Sequence, residues 1–415
     1  MNFAGERNMG RVAHLAPGRG LRLCAVFAIL AALAAPTPAT AAAPLPDRLA
    51  KALAVPHVSR AQTGAVAVDL RSGETIFSLN EQRSLLPASA EKLAVAYAAL
   101  LELGPDHRIE TDVLGDGALE GTTWNGDLVL KGYGDPTLSR GDLRTLARGI
   151  RAFGIRRVTG SVVGDESYFD TRRVVSGWKP SYLIEESPPL TALIVDRGLH
   201  GRRTSRNPAL TAAVLFRDEL RRQGVAVGGA RVARTAAADF PLAFVHSPTL
   251  RELLRFMGVE SDNFTAEMLL KQLGAQSLGQ GTSAGGAVVV TAALRTAGIP
   301  LGGVRVVDGS GLSLLNRLTA ASLVALLRSA WADPSTRATF TPTLAVAGVS
   351  GTLRRRLVSL RGRVLAKTGT TNAASTLAGY VEGRYAFAVL HNGRPVATTW
   401  ARRAQDRFVL VLASP

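Results

Sequence analysis

The chain has 415 residues, with 49 Lys and Arg against 32 Asp and Glu for a formal charge of +17, and close to half of it is apolar. Its single cysteine, Cys24, excludes a disulfide framework, and no apolar run reaches the roughly 18–20 residues of a membrane span. A chain this long buries a substantial core and has room for one large domain plus an insertion.

The first forty-odd residues read as an export signal. Arg7, Arg11, Arg19 and Arg22 precede an apolar run over 23–35, and Ala39-Thr40-Ala41-Ala42-Ala43 supplies small residues for cleavage, so residues 1–43 are assigned to a signal peptide. Cys24 falls inside it, and Arg22 makes the local sequence a poor lipidation site. After cleavage no thiol remains, which excludes cysteine catalysis and cysteine metal sites, and the charge falls from +17 to about +14. Export directs the protein to the periplasm or extracytoplasmic envelope, where an anionic envelope surface, and no nucleic acid, is the partner for basic charge.

Residues 64–70 and 75–79 alternate or run apolar around Arg71-Ser-Gly-Glu74 and predict a hairpin. The Ala- and Leu-rich stretch that follows, with Pro87 before it and Gly104-Pro105 after it, predicts a buried helix over 89–103. Ser89 then sits in the first turn, beside unpaired backbone N–H groups and the positive end of the helix dipole, which favour a developing oxyanion. Lys92, three residues on, projects from the same face and reaches the Ser89 hydroxyl. Apolar walls and a second cation lower a lysine's proton affinity and fit it for general-base work. Read alone, the string is equally an N-cap serine followed by solvated first-turn residues.

Residues 105–244 are turn-rich, with short strands at 127–131 and 157–163 and few long helices, and are assigned to an insertion; 44–104 and 245–415 then form one domain. Ser176-Gly-Trp-Lys179 repeats the Ser-x-x-Lys spacing, but Gly177 and Pro180 deny it a helix. Glu185 and Glu186 are read as a solvated loop.

Ser261-Asp262-Asn263 opens an apolar helix closed by Gly274. In the functional reading Ser261 relays a proton to a leaving nitrogen, the Asn263 amide holds a substrate carbonyl, and Asp262 caps the helix; the local alternative is a plain N-cap. Gly281-Thr-Ser283-Ala-Gly285 fits a nucleophile elbow with Asp308 and His391 as partners, but a glycine-rich loop, not a strand, precedes it. Arg354-Arg355-Arg356 either places charge near Lys367 or is a solvated helix face, and the second reading is preferred.

Lys367-Thr368-Gly369-Thr370 ends a strand begun at 363, with further strands at 375–382 and 385–392 and a helix over 397–412. Glycine at a strand edge admits a second backbone, which suits a peptide added as an extra strand. Lys367 supplies positive charge, Thr368 a hydroxyl for a substrate carboxylate, and the Thr370 N–H an oxyanion donor opposite the Ser89 N–H. The six histidines show no metal-ligand spacing, and no metal or cofactor is expected.

Ser89-x-x-Lys92, Ser261-x-Asn263 and Lys367-Thr-Gly369, in this order, are the trio of class A β-lactamases and penicillin-binding proteins. With Pro87-Ala88-Ser89, Gly132-Tyr-Gly-Asp-Pro136, Gly160-Ser-Val-Val-Gly-Asp165, Asp308-Gly-Ser-Gly-Leu-Ser313 and Gly351-Thr-Leu353, the chain resembles the D-alanyl-D-alanine carboxypeptidases/endopeptidases of the class C low-molecular-mass penicillin-binding proteins. The resemblance implies an α/β (α+β) fold of the penicillin-binding transpeptidase/β-lactamase-like kind, an antiparallel sheet between helical layers plus an inserted β-rich region. It implies catalytic Ser89, Lys92, Ser261, Asn263 and Lys367, and substrate-binding Thr368, Gly369 and Thr370. It further implies acylation of Ser89 by the penultimate D-alanine of a peptidoglycan stem peptide and covalent trapping by β-lactam antibiotics. Two alternatives differ by simple measurements: a β-lactamase-like hydrolase turns penicillin over rapidly, and a non-catalytic cell-wall binding protein is not acylated.

Overall fold

The computed structural model describes residues 43–414 apart from 202 and 235–237. The signal-peptide reading, Cys24 included, lies outside the described residues except for Ala43. Helix α1 (Leu45–Leu53) leads into an antiparallel hairpin of β1 (Thr63–Asp69) and β2 (Thr75–Leu79). A 3-10 turn, Ala88–Ala90, then enters α2 (Glu91–Leu103), buried from Glu91 through Leu100. The helix predicted from Ser89 therefore starts two residues late. Ala88 takes a left-handed φ of 47°, which breaks regular helix, and leaves Ser89 in the turn.

The inserted region carries β3 (Glu110–Gly115), β4 (Leu128–Gly132), α3 (Arg140–Ala152), β5 (Val162–Asp165), α4 (Pro208–Arg222), β6 (Ala230–Val232) and β7 (Phe240–His246). Its main sheet runs β6-β5-β4-β3-β7. Leu143, Leu146 and Ile150 of α3 and Ala209, Ala212 and Phe216 of α4 pack with Val113, Leu128 and Leu130 of the sheet. Both helices are capped as their sequences dictate, α3 by a Ser139/Asp142 capping box and α4 by Asn207 ahead of Pro208. The single strand predicted over 157–163 is two. Arg157–Val158 pairs in a small separate sheet and Val162–Asp165 in the main one. The chain switches sheets at Gly160, where a Cβ would lie 2.5 Å from the Gly126 carbonyl oxygen.

Next come α5 (Leu250–Val259), α6 (Asn263–Leu278), α7 (Ser283–Thr296), α8 (Ala320–Ala332), β8 (Ala345–Val346), β9 (Val364–Thr370), β10 (Ala374–Val381), β11 (Tyr385–Asn392) and α9 (Thr398–Leu412). Strands from both ends of the chain share one antiparallel sheet, ordered β8-β9-β10-β11-β1-β2. Helices α1 and α9 cover one face through Leu49, Leu53, Phe408 and Leu412 against Ala65, Val364 and Phe387. Helices α2, α5, α6, α7 and α8 cover the other, with Val66, Ala378 and Leu390 in that core. Cover on both faces explains why β1, β10 and nearly all of β11 are buried without alternation. Gly274 does not end α6 as predicted. It lies inside the helix, where a Cβ would meet Gly286 N at 2.6 Å, so it admits the close approach of α7, and Gly279 at φ 65° caps the helix.

Candidate active site

The turn that carries Ser89 is held in place by two glycines from elsewhere in the chain. A Cβ on Gly311, itself at φ 84°, would lie 1.9 Å from the Ala88 carbonyl oxygen, and one on Gly369 would lie 2.9 Å from Ser89 N. The loop after α7 and the strand β9 thus press on the backbone that carries Ser89. Gly311→Ala is expected to displace this turn and to lower acylation of Ser89 by roughly 10²-fold or more, since misplacement by about 1 Å costs that much. Penicillin labelling rates, read beside a thermal melt, measure it.

Lys92 is fully buried beneath Ser89. Its Nζ donates to Ser89 Oγ at 3.1 Å, Asn263 Oδ1 at 2.8 Å and the Ser310 carbonyl at 2.7 Å. Burial pushes its pKa down to about 8, against the opposing pull of Asp308 and Glu267. Near neutrality a usable fraction is therefore free amine, able to take the Ser89 proton.

Ser261 takes a left-handed φ of 61°, and Asp262 caps α6 by accepting from Thr265 N at 2.8 Å. Arg197, from the inserted region, grips the same Asp262 carboxylate at 2.8 and 2.7 Å. Lys367 Nζ donates to Ser261 Oγ at 2.7 Å and the Thr368 carbonyl at 2.9 Å. Burial, and then the Lys92 charge, hold Lys367 well below the usual lysine range. Two buried amines and two hydroxyls thus sit in one polar cluster.

As expected, the Lys367–Thr370 string ends its strand: β9 closes at Thr370. Thr371 N–H donates to the Ala374 carbonyl at 2.9 Å, which sets the alternation: Gly369 turns its backbone groups to β10, and Thr368 and Thr370 turn theirs to the opposite edge. On that edge β8 pairs only with Leu365 and Ala366. The Thr370 N–H therefore points into an unpaired stretch of edge beside Ser89. The Thr368 hydroxyl donates to Thr352 Oγ1 at 2.8 Å.

Ser89, Ser261, Asn263, Thr368 and Thr370 line one cleft of about 1260 Å³. Lys92 and Lys367 lie beneath it and Gly369 packs against its floor. The inserted region contributes Lys179, Ser181, Tyr182, Glu185 and Glu186 to the same cleft. Glu186 is thus more than a solvated loop residue: Asn263 Nδ2 donates to its backbone oxygen at 3.1 Å and to Oε2 at 3.3 Å. Arg354, Arg355 and Arg356 form no helix face. They follow a 3-10 turn, Gly351–Leu353, and also line the cleft, which corrects the preferred reading.

The rival elbow does not assemble. Ser283 opens α7 on the wall of a separate groove, Asp308 is buried, and His391 is buried in β11, bonded to Thr63 Oγ1 at 2.9 Å. Ser176–Lys179 is not helical, as its Gly and Pro dictate, yet it matters: the Trp178 indole donates to Asp308 at 2.8 Å and Ser313 Oγ to the Ser176 carbonyl at 2.7 Å.

Sequence reasoning missed a buried acidic group beneath the lysines. Asp308 organises its own loop by accepting from Gly311 N at 2.8 Å and Ser313 N at 2.6 Å, and Glu267 accepts from Gly309 N at 3.0 Å and Ser310 N at 2.8 Å. Glu91 is fully buried with neither carboxyl oxygen hydrogen-bonded among the described residues. Burial, and then the charges of Asp308 and Glu267, push its pKa well above the carboxylate range. The signal available was the position of Glu91 inside an otherwise Ala- and Leu-rich buried helix.

The model of the D-Ala-D-Ala carboxypeptidase 3 (S13) family matches residues 45–204 and 199–414. A D-alanyl-D-alanine carboxypeptidase from Actinomadura sp. (strain R39) is 32% identical over an alignment covering 86% of this chain and 82% of its own. Carboxypeptidase DacB from Mycolicibacterium smegmatis is 33% identical, covering 92% and 89%. The crystal structure of penicillin binding protein 4 (dacB) from Haemophilus influenzae superposes with a TM-score of 0.78 at 24% identity, covering 88% of this chain and 98% of that one, which shows a shared fold. On the family match and these identities, the chain belongs to the D-Ala-D-Ala carboxypeptidase 3 (S13) family.

Proposed function

We propose that the protein is a serine DD-peptidase that cleaves D-alanyl-D-alanine-type bonds of peptidoglycan stem peptides through an acyl-enzyme on Ser89. The observation that carries this reading is the pair of buried amines, Lys92 against Ser89 Oγ and Lys367 against Ser261 Oγ, beside an open strand edge. A stem peptide adds to the β9 edge as an antiparallel strand, and the Asn263 amide, released from Glu186, holds one of its carbonyls. Neutral Lys92 takes the Ser89 proton as Oγ bonds to the penultimate D-alanine carbonyl carbon. The Ser89 and Thr370 N–H groups receive the oxyanion. The C–N bond breaks as the Ser261 hydroxyl passes a proton to the leaving amine, Lys367 replenishes it, and Lys367 and the Thr368 hydroxyl hold the leaving carboxylate. Lys92 passes the proton it gained on to Lys367 through the polar cluster and is free amine again; water, or an amine, then attacks the ester, Lys92 takes the attacking group's proton and returns it to the Ser89 oxygen as the acyl C–O bond breaks, and Ser89 is restored.

A β-lactam presents the same carbonyl in a strained ring and leaves Ser89 acylated. The basic chain acts in the extracytoplasmic envelope, where its substrate and anionic polymers are found, and among the described residues no helix is long and apolar enough to cross a membrane. Digestion of purified peptidoglycan tests the assignment. Released D-alanine or split dimers are expected, and an unchanged muropeptide profile contradicts it.

A further inference from the structure

Ser261 Oγ accepts from Lys367 Nζ at 2.7 Å and Asn263 Oδ1 accepts from Lys92 Nζ at 2.8 Å, so both side chains are fixed inside the catalytic cluster. Asp262, between them, is fixed from outside it. The Arg197 guanidinium grips its carboxylate with two parallel bonds, Nη1 to Oδ2 at 2.8 Å and Nη2 to Oδ1 at 2.7 Å. Helix capping does not explain that charge. Ser, Thr or Asn would accept from Thr265 N as well as aspartate does, whereas among capping residues only a carboxylate offers two oxygens to a guanidinium fork. Burial opposes ionisation of Asp262, yet bonds from Arg197 and Thr265 hold its carboxyl below the usual carboxylate range.

Arg197 is itself fixed. Its guanidinium carbon lies 5.5 Å from the Phe256 ring centroid and 5.4 Å from that of Phe264, so the side chain is seated on aromatic faces from α5 and α6. Its backbone is strained. Asp196, Arg197 and Gly198 take φ values of 49°, 56° and 75°, a left-handed run that persists only where the surroundings impose it. The buried segment 192–195 imposes it: Leu193 and Val195 join the core of the inserted region, and Ile194 clusters with Phe264 and Met268 of α6. Ser261, at φ 61°, is strained in the same sense. Its return to an ordinary φ would carry the hydroxyl off Lys367.

We propose that Arg197 is a positioning residue for the Ser261 hydroxyl: by holding Asp262 it keeps Ser261 in its left-handed conformation, with the hydroxyl on Lys367 and available to the leaving nitrogen. This rests on the peptidase reading, in which Ser261 protonates the departing amine, and it gives the inserted region a part in building the site. When the amide C–N bond breaks, the nitrogen must gain a proton, whereas a thiolate departs with the C–S electron pair and needs none. Loss of Arg197 therefore costs amide cleavage far more than thioester cleavage.

The test compares kcat/KM, which reports the steps up to acylation, for a peptide ending in D-alanyl-D-alanine and for the same peptide ending in the D-alanyl thioester of mercaptoacetate, which keeps the leaving carboxylate. Arg197→Gln is expected to lower the amide value by about 10²-fold, the cost of a misplacement of about 1 Å, and the thioester value by less than about three-fold. Arg197→Lys, which keeps the charge without the fork, is expected to fall between wild type and Arg197→Gln on the amide. Asp262→Asn keeps the cap and is expected to show the same selectivity, so it decides the matter if Arg197→Gln does not fold. The double variant is expected to be no worse than the worse single one. Equal losses on both substrates, no loss on either, or additive losses in the double variant overturn the inference. Ser261→Ala separates it from the reading on which it rests: if that variant is amide-selective and the Arg197 and Asp262 variants are not, the inference alone falls. If Ser261→Ala is not amide-selective, the proton route through Ser261 and the inference fall together.

Discussion

Ser89→Ala is expected to abolish covalent labelling by penicillin and to lower peptidase activity by at least about 10⁴-fold, the scale on which nucleophile deletions act. The fold should not suffer. Ser89 is only partly buried, its side chain contributes one hydrogen bond, from Lys92, and alanine keeps the turn between Gly311 and Gly369. A thermal melt within a degree or two of the wild type, alongside lost labelling, is the expected pair of results. Labelling that persists in this variant would place the nucleophile elsewhere.

Lys92→Ala is expected to lower acylation by roughly 10²–10⁴-fold, the range for removal of a general base, while leaving the Ser89 hydroxyl in place. The pH dependence gives the sign of the effect. Only the free amine accepts a proton, so with a folded pKa of about 8 the wild-type acylation rate should rise about ten-fold per pH unit below that value and level off above it. The variant should lose this limb. An alanine variant that retains the limb would assign it to another group, and Lys367, held well below the usual lysine range, is then the next candidate. Removing Lys92 also strips a donor from the Ser310 carbonyl and from Asn263 Oδ1, so some stability loss, about 1–3 kcal/mol for an unpaired buried acceptor, is expected in the melt.

The sequence carried the site better than it carried the frame around it. Ser-x-x-Lys, Ser-x-Asn and Lys-Thr-Gly are local strings whose residue types follow from their chemistry, and the structure brings all three to one cleft. The sheet was legible for the same reason: runs such as 385–392 are apolar on both faces because helices cover both faces. Features that depend on distant parts of the chain were not legible. Whether Gly274 ends a helix or admits a neighbour depends on α7, and Ser89 falls in a 3-10 turn because Ala88 is pinned against Gly311, more than two hundred residues away. Arg354–Arg356 read as surface because nothing local shows that Asp406, on the last helix, anchors Arg356 at the cleft. Glu91 sits where solvated first-turn residues commonly occur, yet it is fully buried within electrostatic reach of Asp308 and Glu267, which come from distant parts of the chain.

The most direct measurement is a peptide mass map of the intact protein after brief exposure to penicillin at neutral pH. One penicilloyl group per chain, carried by the peptide containing Ser89, is the predicted result. An unmodified protein, or an adduct on any other residue, would contradict the account.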